Sequence, residues 1–432
     1  MESESIGIGL MGLGVISGQV ARVLRDKSAA LAEQAGRRLE IKKIKVLPAD
    51  LKRPLAAEFD RSLFTTQEEE FFSTPGLDIL VEAIGGEHPA LEYLNRGLSA
   101  GKYVVTSNKE VIAKHGAELL SLARQKNVGL RYEASVGGGI PLISPFMFDL
   151  SANKINGIYA IINGTTNYIL TRMAKEGADF KAVLKQAQEL GYAEANPRDD
   201  VEGIDATYKL AILSSLGFHT SIGPEDIHHE GISRLSSRDF KYAQELGFAI
   251  KLLAIAKQDT HIEVRVHPVF ISEDSLLAKV EGVFNAVLVE GDLVGKVLFY
   301  GQGAGPSPTS SAVVSDVVAS VKDILHGVGN RLSWQPAARP LKPISELITR
   351  YYVRMSVADK AGVLAAITSV LGENKISISA ILQKESDEAT RSAEIVIMTH
   401  RAQEAGMQKA LQEMQRLAVV KEISNVIRVE DL

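Results

Sequence analysis

An apolar strand that runs straight into a glycine loop constrains this chain more than any other feature. Residues 6–10 read as a buried strand, and Gly9-Leu10-Met11-Gly12-Leu13-Gly14-Val15-Ile16-Ser17-Gly18 carries the chain on into a helix predicted over 19–35. The early glycines permit a tight turn and close approach of a pyrophosphate. A later small residue lets the helix pack on the strand, and the helix N-terminus attracts the negative charge. Counted from Gly12, the third position of Gly-x-Gly-x-x-Gly is Ser17, with Gly18 one step later. Set between a strand and a helix, this loop points to a nicotinamide dinucleotide. Gly12, Gly14, Val15 and Ile16 are its candidate contacts.

The alternation continues with strands predicted over 41–47, 78–84 and 103–106 and a helix over 89–100, the pattern of a parallel, doubly wound sheet. A strand over 154–162 leads into Asn163-Gly164-Thr165-Thr166-Asn167, followed by helices over 168–176, 180–190 and 201–216. Strands resume over 262–269, 280–284, 286–290 and 294–300, which implies a second, α+β domain, and a helix follows over 309–325. Residues 334–343 hold three prolines and read as a linker. Beyond it the predicted order is β-α-β-β-α-β, a ferredoxin-like sandwich. The class is therefore α/β in three parts. A Rossmann-type domain spans 1–135 and is completed by 305–330. A second, α+β domain spans 136–304. A linker over 331–349 leads to a small domain over 350–432.

Net charge is −5, which disfavours nucleic acid as a partner, and the chain has no cysteine. Disulfides, thiol catalysis and thiolate-bound zinc are thereby excluded. No apolar run approaches the ~20 residues that span a bilayer. The acidic start Met-Glu-Ser-Glu-Ser is unlike a signal peptide. A cytoplasmic enzyme with a small-molecule substrate is expected, with no membrane partner.

The predicted helix over 201–216 carries the chemistry. Between Val201 and Phe218 the only charged residues are Glu202, Asp205 and Lys209. At about 100° per residue they share a sector about 60° wide. The rest is apolar or small, so the helix has no charged solvent face and reads as buried. A surface Asp–Lys pair is the plain alternative. A buried lysine needs a partner and suits a proton donor.

Several segments together resemble the homoserine dehydrogenase family. They are Glu82-Ala83-Ile84-Gly85-Gly86, Val105-Thr106-Ser107-Asn108-Lys109, Tyr132-Glu133-Ala134-Ser135-Val136-Gly137-Gly138-Gly139-Ile140-Pro141, Asn163-Gly164-Thr165-Thr166-Asn167, Gly191-Tyr192-Ala193-Glu194 and the helix just described. The segment Asp359-Lys360-Ala361-Gly362-Val363-Leu364 is similar to the ACT regulatory domain many members carry. The resemblance implies reversible reduction of aspartate 4-semialdehyde to homoserine with NADH or NADPH. It implies Lys209 as general acid, with Asp205 at the substrate and Lys109 near substrate and nicotinamide. It implies Glu194, with Asp199 and Thr165, around the substrate; Asn163 and Thr166 are weaker members of that set. Gly191, Gly303 and Gly305 would approach the cofactor. Glu133, Val136, Gly138 and Ile140 would hold a monovalent cation, sodium in the family, with one carboxylate and backbone carbonyls. Threonine is the implied effector at the ACT domain, and a homodimer or homotetramer the implied assembly.

The end of the second strand leaves the cofactor open. Asp50 would take a ribose hydroxyl of NAD, whereas Lys52 and Arg53 would take the 2′-phosphate of NADP. Ala49 stands where the family often has an arginine for that phosphate. Two other functions compete: a dehydrogenase of a neighbouring amino-acid semialdehyde, and a non-catalytic amino-acid sensor.

Overall fold

The computed structural model describes residues 5–329, 339–387 and 391–432. The first half of the predicted linker, residues 331–338, lies outside the described residues. Two compact units emerge. Met1–Ile158, Tyr208–Asp226 and Asn285–Ala338 make up the first. Tyr159–Thr207, Ile227–Phe284 and Arg339–Leu432 make up the second.

The first unit is built on six strands, β1 Ile6–Met11, β2 Leu39–Lys45, β3 Phe64–Thr65, β4 Ile79–Glu82, β5 Tyr103–Thr106 and β6 Leu130–Arg131. Their order is β3-β2-β1-β4-β5-β6, and neighbours pair in parallel. Every residue of β1 is buried, as a parallel strand covered on both faces requires. Ile8, Leu10, Val20 and Leu24 share one core with Val313, Val317 and Val321 of the Pro306–Leu325 helix. The strand order reverses between β1 and β4, which opens a crevice at their carboxyl ends. The helix predicted over 19–35 is two helices, Val15–Asp26 and Ser28–Ala35. Lys27 at the joint leaves helical geometry at φ −108°, ψ 19°.

The helix predicted over 201–216 is also two, Arg198–Val201 and Ile204–Phe218. Gly203 breaks it with φ +79°, a left-handed conformation that side chains disfavour. Glu202 therefore leaves the charged stripe. From Asp205 to Phe218 every residue is buried except the half-buried Tyr208. The inference of a helix without a solvent face holds for the longer piece.

The second unit contains a long antiparallel hairpin, Phe248–Gln258 with Ile262–Ser272. Its first strand was not predicted, because Leu-Leu-Ala-Ile-Ala lacks the alternation that marks a half-exposed strand. The strand predicted over 280–284 is absent: Leu276–Lys279 is a 3₁₀ turn, and the next strand starts at Phe284. Val420–Val429 pairs in parallel with the hairpin through Val269↔Arg428 and Phe270↔Val429. Ile348–Ala358, Ser392–Thr399 and Ile378–Asp387 follow in antiparallel order. The C-terminal β-α-β-β-α-β sandwich thus extends the hairpin's sheet instead of standing behind the linker as a sheet of its own. Buried ion pairs lock this junction. Arg354 Nε lies 2.8 Å from Asp239 Oδ1 and its Nη1 2.9 Å from Glu394, while Asp239 also accepts from Tyr352 (3.1 Å) and Asn425 (3.0 Å).

Asp239 is fully buried and Arg354 is 6% exposed. Removing either partner strands the other charge without water. Arg354→Ala is expected to cost about 3–5 kcal/mol in urea unfolding. A loss below about 1 kcal/mol would show that the junction does not depend on this pair.

Candidate active site

In the first unit the glycine loop closes the end of β1. Gly12 sits at φ +88°, where a Cβ would meet Ile84 Cγ2 at 2.8 Å. Gly14 precedes the Val15–Asp26 helix without any side-chain cap, and the space about its Cα is open. The helix's first N–H groups are therefore left for an anion. Val15 is 69% exposed and Ile16 half-buried beside it. Ser17 Oγ donates to Met11 O (3.2 Å). Gly18 makes the close helix packing, since a Cβ there would overlap Leu55. These residues fit a dinucleotide's pyrophosphate.

The turn after β2 carries both cofactor candidates. The Asp50 carboxylate is buried, accepts from the N–H of Leu47 (3.1 Å) and pairs with Arg53 Nε (3.0 Å). The Arg53 side chain is half exposed and its Nη1 also reaches Leu13 O in the glycine loop (3.4 Å).

Lys109 heads the Lys109–Gln125 helix, which Asn108 caps by accepting from the N–H of Val111 (3.1 Å). Glu82, fully buried at the end of β4, organises this corner. It accepts from Thr106 Oγ1 (2.5 Å) and from the N–H of Ile84 (2.7 Å). Thr106 accepts from the N–H of Asn108 (3.0 Å), and Asn108 Nδ2 donates to Gly86 O (2.7 Å). Burial pushes the Glu82 carboxyl above the usual carboxylate range against these hydrogen bonds. Sequence reasoning quoted Glu82 only as part of a motif. Its signal was a lone charge ending an apolar strand.

Lys209 is 9% exposed, inside the Ile204–Phe218 helix. Its neighbour Tyr208 lies under the ammonium of Lys114, 5.7 Å from the ring centre. The Lys109–Gln125 helix and residues 211–216 line a shared cavity of about 150 Å³. The helices carrying Lys109 and Lys209 are thus close neighbours.

Residues 133–140 form a buried glycine-rich loop. Glu133 accepts from the N–H groups of Leu142 (2.6 Å), Ile143 (2.8 Å) and Ser144 (2.8 Å). Both carboxylate oxygens therefore hold the following turn. The carbonyls of Val136, Gly138 and Ile140 receive no hydrogen bond among the described residues, so they fit a hard cation. Asp316 accepts from the N–H of Glu133 (2.8 Å), and burial beside that carboxylate pushes it up to about 7. Gly303 packs on this loop, its oxygen 2.5 Å from where a Gly138 Cβ would stand. Gly305 precedes the Pro306–Leu325 helix with φ +118°. Asn285, which sequence reasoning missed, is 1% exposed, finds no partner for its amide among the described residues, and fills the space where a Gly303 Cβ would go.

In the second unit Asn163 joins two carboxylates. Its Nδ2 donates to Asp205 Oδ2 (2.9 Å) and to Asp200 Oδ1 (2.7 Å), while its Oδ1 caps the Gly164–Glu176 helix at the N–H of Thr166 (2.8 Å). Asp205 is 3% exposed. Thr165 Oγ1 donates to Tyr192 O (2.6 Å) and pins the turn that holds Gly191, at φ +76°, and Glu194. Glu194 and Asp199 are exposed. Asp200 was passed over in the sequence because it follows Asp199 in a short acidic turn.

A parallel sheet with a glycine turn at its switch point, and a lysine inside a buried helix, define a dinucleotide-dependent oxidoreductase. Comparison with known proteins agrees. The NAD-binding domain of homoserine dehydrogenase matches residues 12–133, the homoserine dehydrogenase family proper 141–318, and the ACT domain 351–419. Homoserine dehydrogenase of Neisseria gonorrhoeae is 41% identical over 437 residues, covering 99% of each chain. The Synechocystis enzyme is 42% identical over 441 residues, covering 98% of this chain and 99% of its own. Among solved structures, the homoserine dehydrogenase of Thiobacillus denitrificans superposes with a TM-score of 0.92 at 41% identity, covering 99% of this chain and 98% of that one. A hyperthermophilic archaeal homoserine dehydrogenase in complex with NADPH scores 0.63 at 27% identity, over 73% of this chain and 97% of that one. The chain belongs to the homoserine dehydrogenase family: it is an NAD(P)-dependent oxidoreductase with a C-terminal ACT domain.

Asn163→Ala removes a helix cap and leaves two carboxylates short of a donor. The expected loss is about 2–4 kcal/mol in urea unfolding. An unchanged midpoint would show that water replaces the amide.

Proposed function

We propose that the chain catalyses the reversible reduction of aspartate 4-semialdehyde to homoserine, in the cytoplasmic synthesis of threonine, methionine and isoleucine. The observation that carries the catalytic assignment is the burial of Lys209 in a helix with no solvent face. Bound NAD(P)H supplies a hydride to the aldehyde carbon. The carbonyl oxygen then gains negative charge, and the Lys209 ammonium stabilises it and gives it a proton. Asp205, one turn earlier and held by Asn163, keeps a negative charge beside that chemistry. Lys109, at the carboxyl edge of the sheet, adds a second cation for substrate and nicotinamide. Glu194 and Asp199 hold the substrate's α-ammonium, and Thr165 fixes their turn. Gly12, Gly14, Val15 and Ile16 bind the cofactor, with Gly191 and Gly303 at its other edges.

The unbonded carbonyls of Val136, Gly138 and Ile140 support a sodium site, with Glu133 shaping its loop. We read residues 1–135 with 305–330 as the cofactor domain, 136–304 as the substrate and dimerisation domain, 331–349 as the linker and 350–432 as the ACT domain. Threonine acting at the ACT domain and a dimer or tetramer complete the reading. No helix among the described residues is long and apolar enough to cross a membrane.

NADPH is the favoured cofactor, because Asp50 is occupied by the turn while Arg53 stands half exposed beside the glycine loop. Arg53→Ala is expected to lower kcat/KM for NADPH about 10- to 100-fold, the worth of a charge-assisted contact to phosphate, and to leave NADH nearly unaffected. Equal losses with both cofactors would contradict the phosphate contact.

Lys209→Ala is expected to lower kcat at least ~100-fold while NADPH still binds and the far-UV spectrum is unchanged. Near-normal turnover would refute the general-acid role.

A further inference from the structure

Asn285 is a buried amide that the proposed chemistry does not use. It is the second residue of the Phe284–Gly291 strand and is 1% exposed. Neither its Nδ2 nor its Oδ1 has a hydrogen-bond partner among the described residues. Both atoms are sealed from solvent, so no water has room to bridge them. A buried amide left in this condition is costly, and native proteins keep few of them.

Its position points to a use. The amide lies over the Cα of Gly303, where a Cβ would stand 1.8 Å from Nδ2 and 2.1 Å from Cγ. Gly303 opens the connection between the Gly295–Gln302 strand and the Pro306–Leu325 helix. Gly303 is buried, yet the peptide that joins it to Ala304 makes no hydrogen bond among the described residues. One carbonyl and one N–H are therefore unused on this peptide, and one NH2 and one carbonyl on the amide beside it. The two sets are complementary.

The peptide is held from its other side. A Cβ on Gly138 would stand 2.5 Å from Gly303 O and 2.9 Å from Ala304 N, so the peptide rests on the backbone there. The N–H of Gly139 donates to Gln302 O (3.2 Å) and fastens the segment. Gly305, at φ +118°, gives the far end a freedom that other residues lack. A turn of one peptide plane toward Asn285 exchanges the contact with Gly138 for two hydrogen bonds. Ala304 is exposed, so a ligand can reach the segment and bias that turn.

We propose that Asn285 is a positioning residue for the cofactor: when the dinucleotide engages residues 303–305, the Gly303–Ala304 peptide turns to bond the Asn285 amide, which holds the segment in its bound form. The inference rests on the reading that Gly303 borders the cofactor, and it goes further in naming the side chain that secures that border. Because the bonds form only in the bound arrangement, they raise cofactor affinity and add nothing to the stability of the free protein. Two such bonds are worth about tenfold in affinity.

The test reads hydrogen exchange on the full chain, with and without saturating NADPH, in wild type and in Asn285→Leu, which keeps the volume and removes both polar atoms. In wild type NADPH is expected to slow exchange over residues 12–18 and, by about tenfold or more, over 303–305. In Asn285→Leu the slowing over 12–18 remains and that over 303–305 is lost. Its Kd for NADPH, from fluorescence titration, rises about tenfold, while the thermal midpoint of the free protein is unchanged or higher. An amide with a purely structural role would lower that midpoint instead, and such a drop with unchanged affinity overturns the proposal. Slowing over 12–18 alone in wild type overturns the role of Asn285 and leaves the cofactor reading intact. Slowing at neither segment overturns both. Should the leucine variant not fold, Asn285→Ala carries the same comparison of affinity and exchange, and wild-type protection over 303–305 persisting in it overturns the proposal.

Discussion

A lysine and an aspartate held inside a helix that buries nearly every other side chain is the constraint around which the rest of the molecule is arranged. Water cannot solvate either charge there, so the fold must supply partners. For Asp205 the structure shows one of them, the amide of Asn163, which comes from a different helix start and serves Asp200 as well. That single amide therefore fixes a helix cap, a turn and a buried carboxylate together. The break at Gly203 belongs to the same economy of space. It lets the short acidic helix Arg198–Val201 change direction before the buried helix begins, so that Glu202 faces a cavity instead of the apolar interior.

The cofactor corner shows a second solution to the same problem. Glu82 is a buried carboxyl held by a hydroxyl and a backbone N–H. Such a group is costly unless every lone pair is used. Here the cost is offset by rigidity. The hydrogen bonds link the ends of β4 and β5 to the cap of the Lys109–Gln125 helix, so that Lys109 begins from a fixed point. A neutral, more flexible residue at the end of β4 would leave Asn108 and the glycine pair 85–86 without a common anchor.

Legibility in the sequence followed the range of the interactions involved. The glycine loop is a local pattern and was legible, although the one-residue ambiguity between Ser17 and Gly18 needed the position of Leu55 to resolve; the buried helix was legible from Asp205 onward, but not its break at Gly203, which takes Glu202 out of the stripe. The parallel sheet was legible because strand and helix alternate in plain order. The strand Phe248–Gln258 was not, because a uniformly apolar stretch fits a buried helix equally well. Asn163 was only weakly legible, Asp200 was passed over and Asn285 was missed, because their meaning depends on partners 37 or more positions away or on the absence of any partner. The roles of Asp50 and Arg53 were likewise open in the sequence, because it does not show that Asp50 is engaged by the N–H of Leu47 and by Arg53 itself.

The junction of the ACT sandwich is the furthest from local pattern. Its predicted β-α-β-β-α-β order was right, yet the same order describes a free-standing domain and one whose edge strand is already paired. What distinguishes them is charge. An exposed edge would leave Arg354 and Arg428 in water, where their ion pairs contribute little. Pairing Val420–Val429 with the hairpin buries both arginines against Asp239, Glu394, Glu404 and Glu230. Such pairs add little net stability over an apolar contact, but they penalise any misaligned register severely, because a shifted strand would strand a charge. A regulatory domain attached in this way cannot slide gradually against its neighbour. Any displacement along the hairpin would have to break these pairs together, each break leaving a charge buried without its partner.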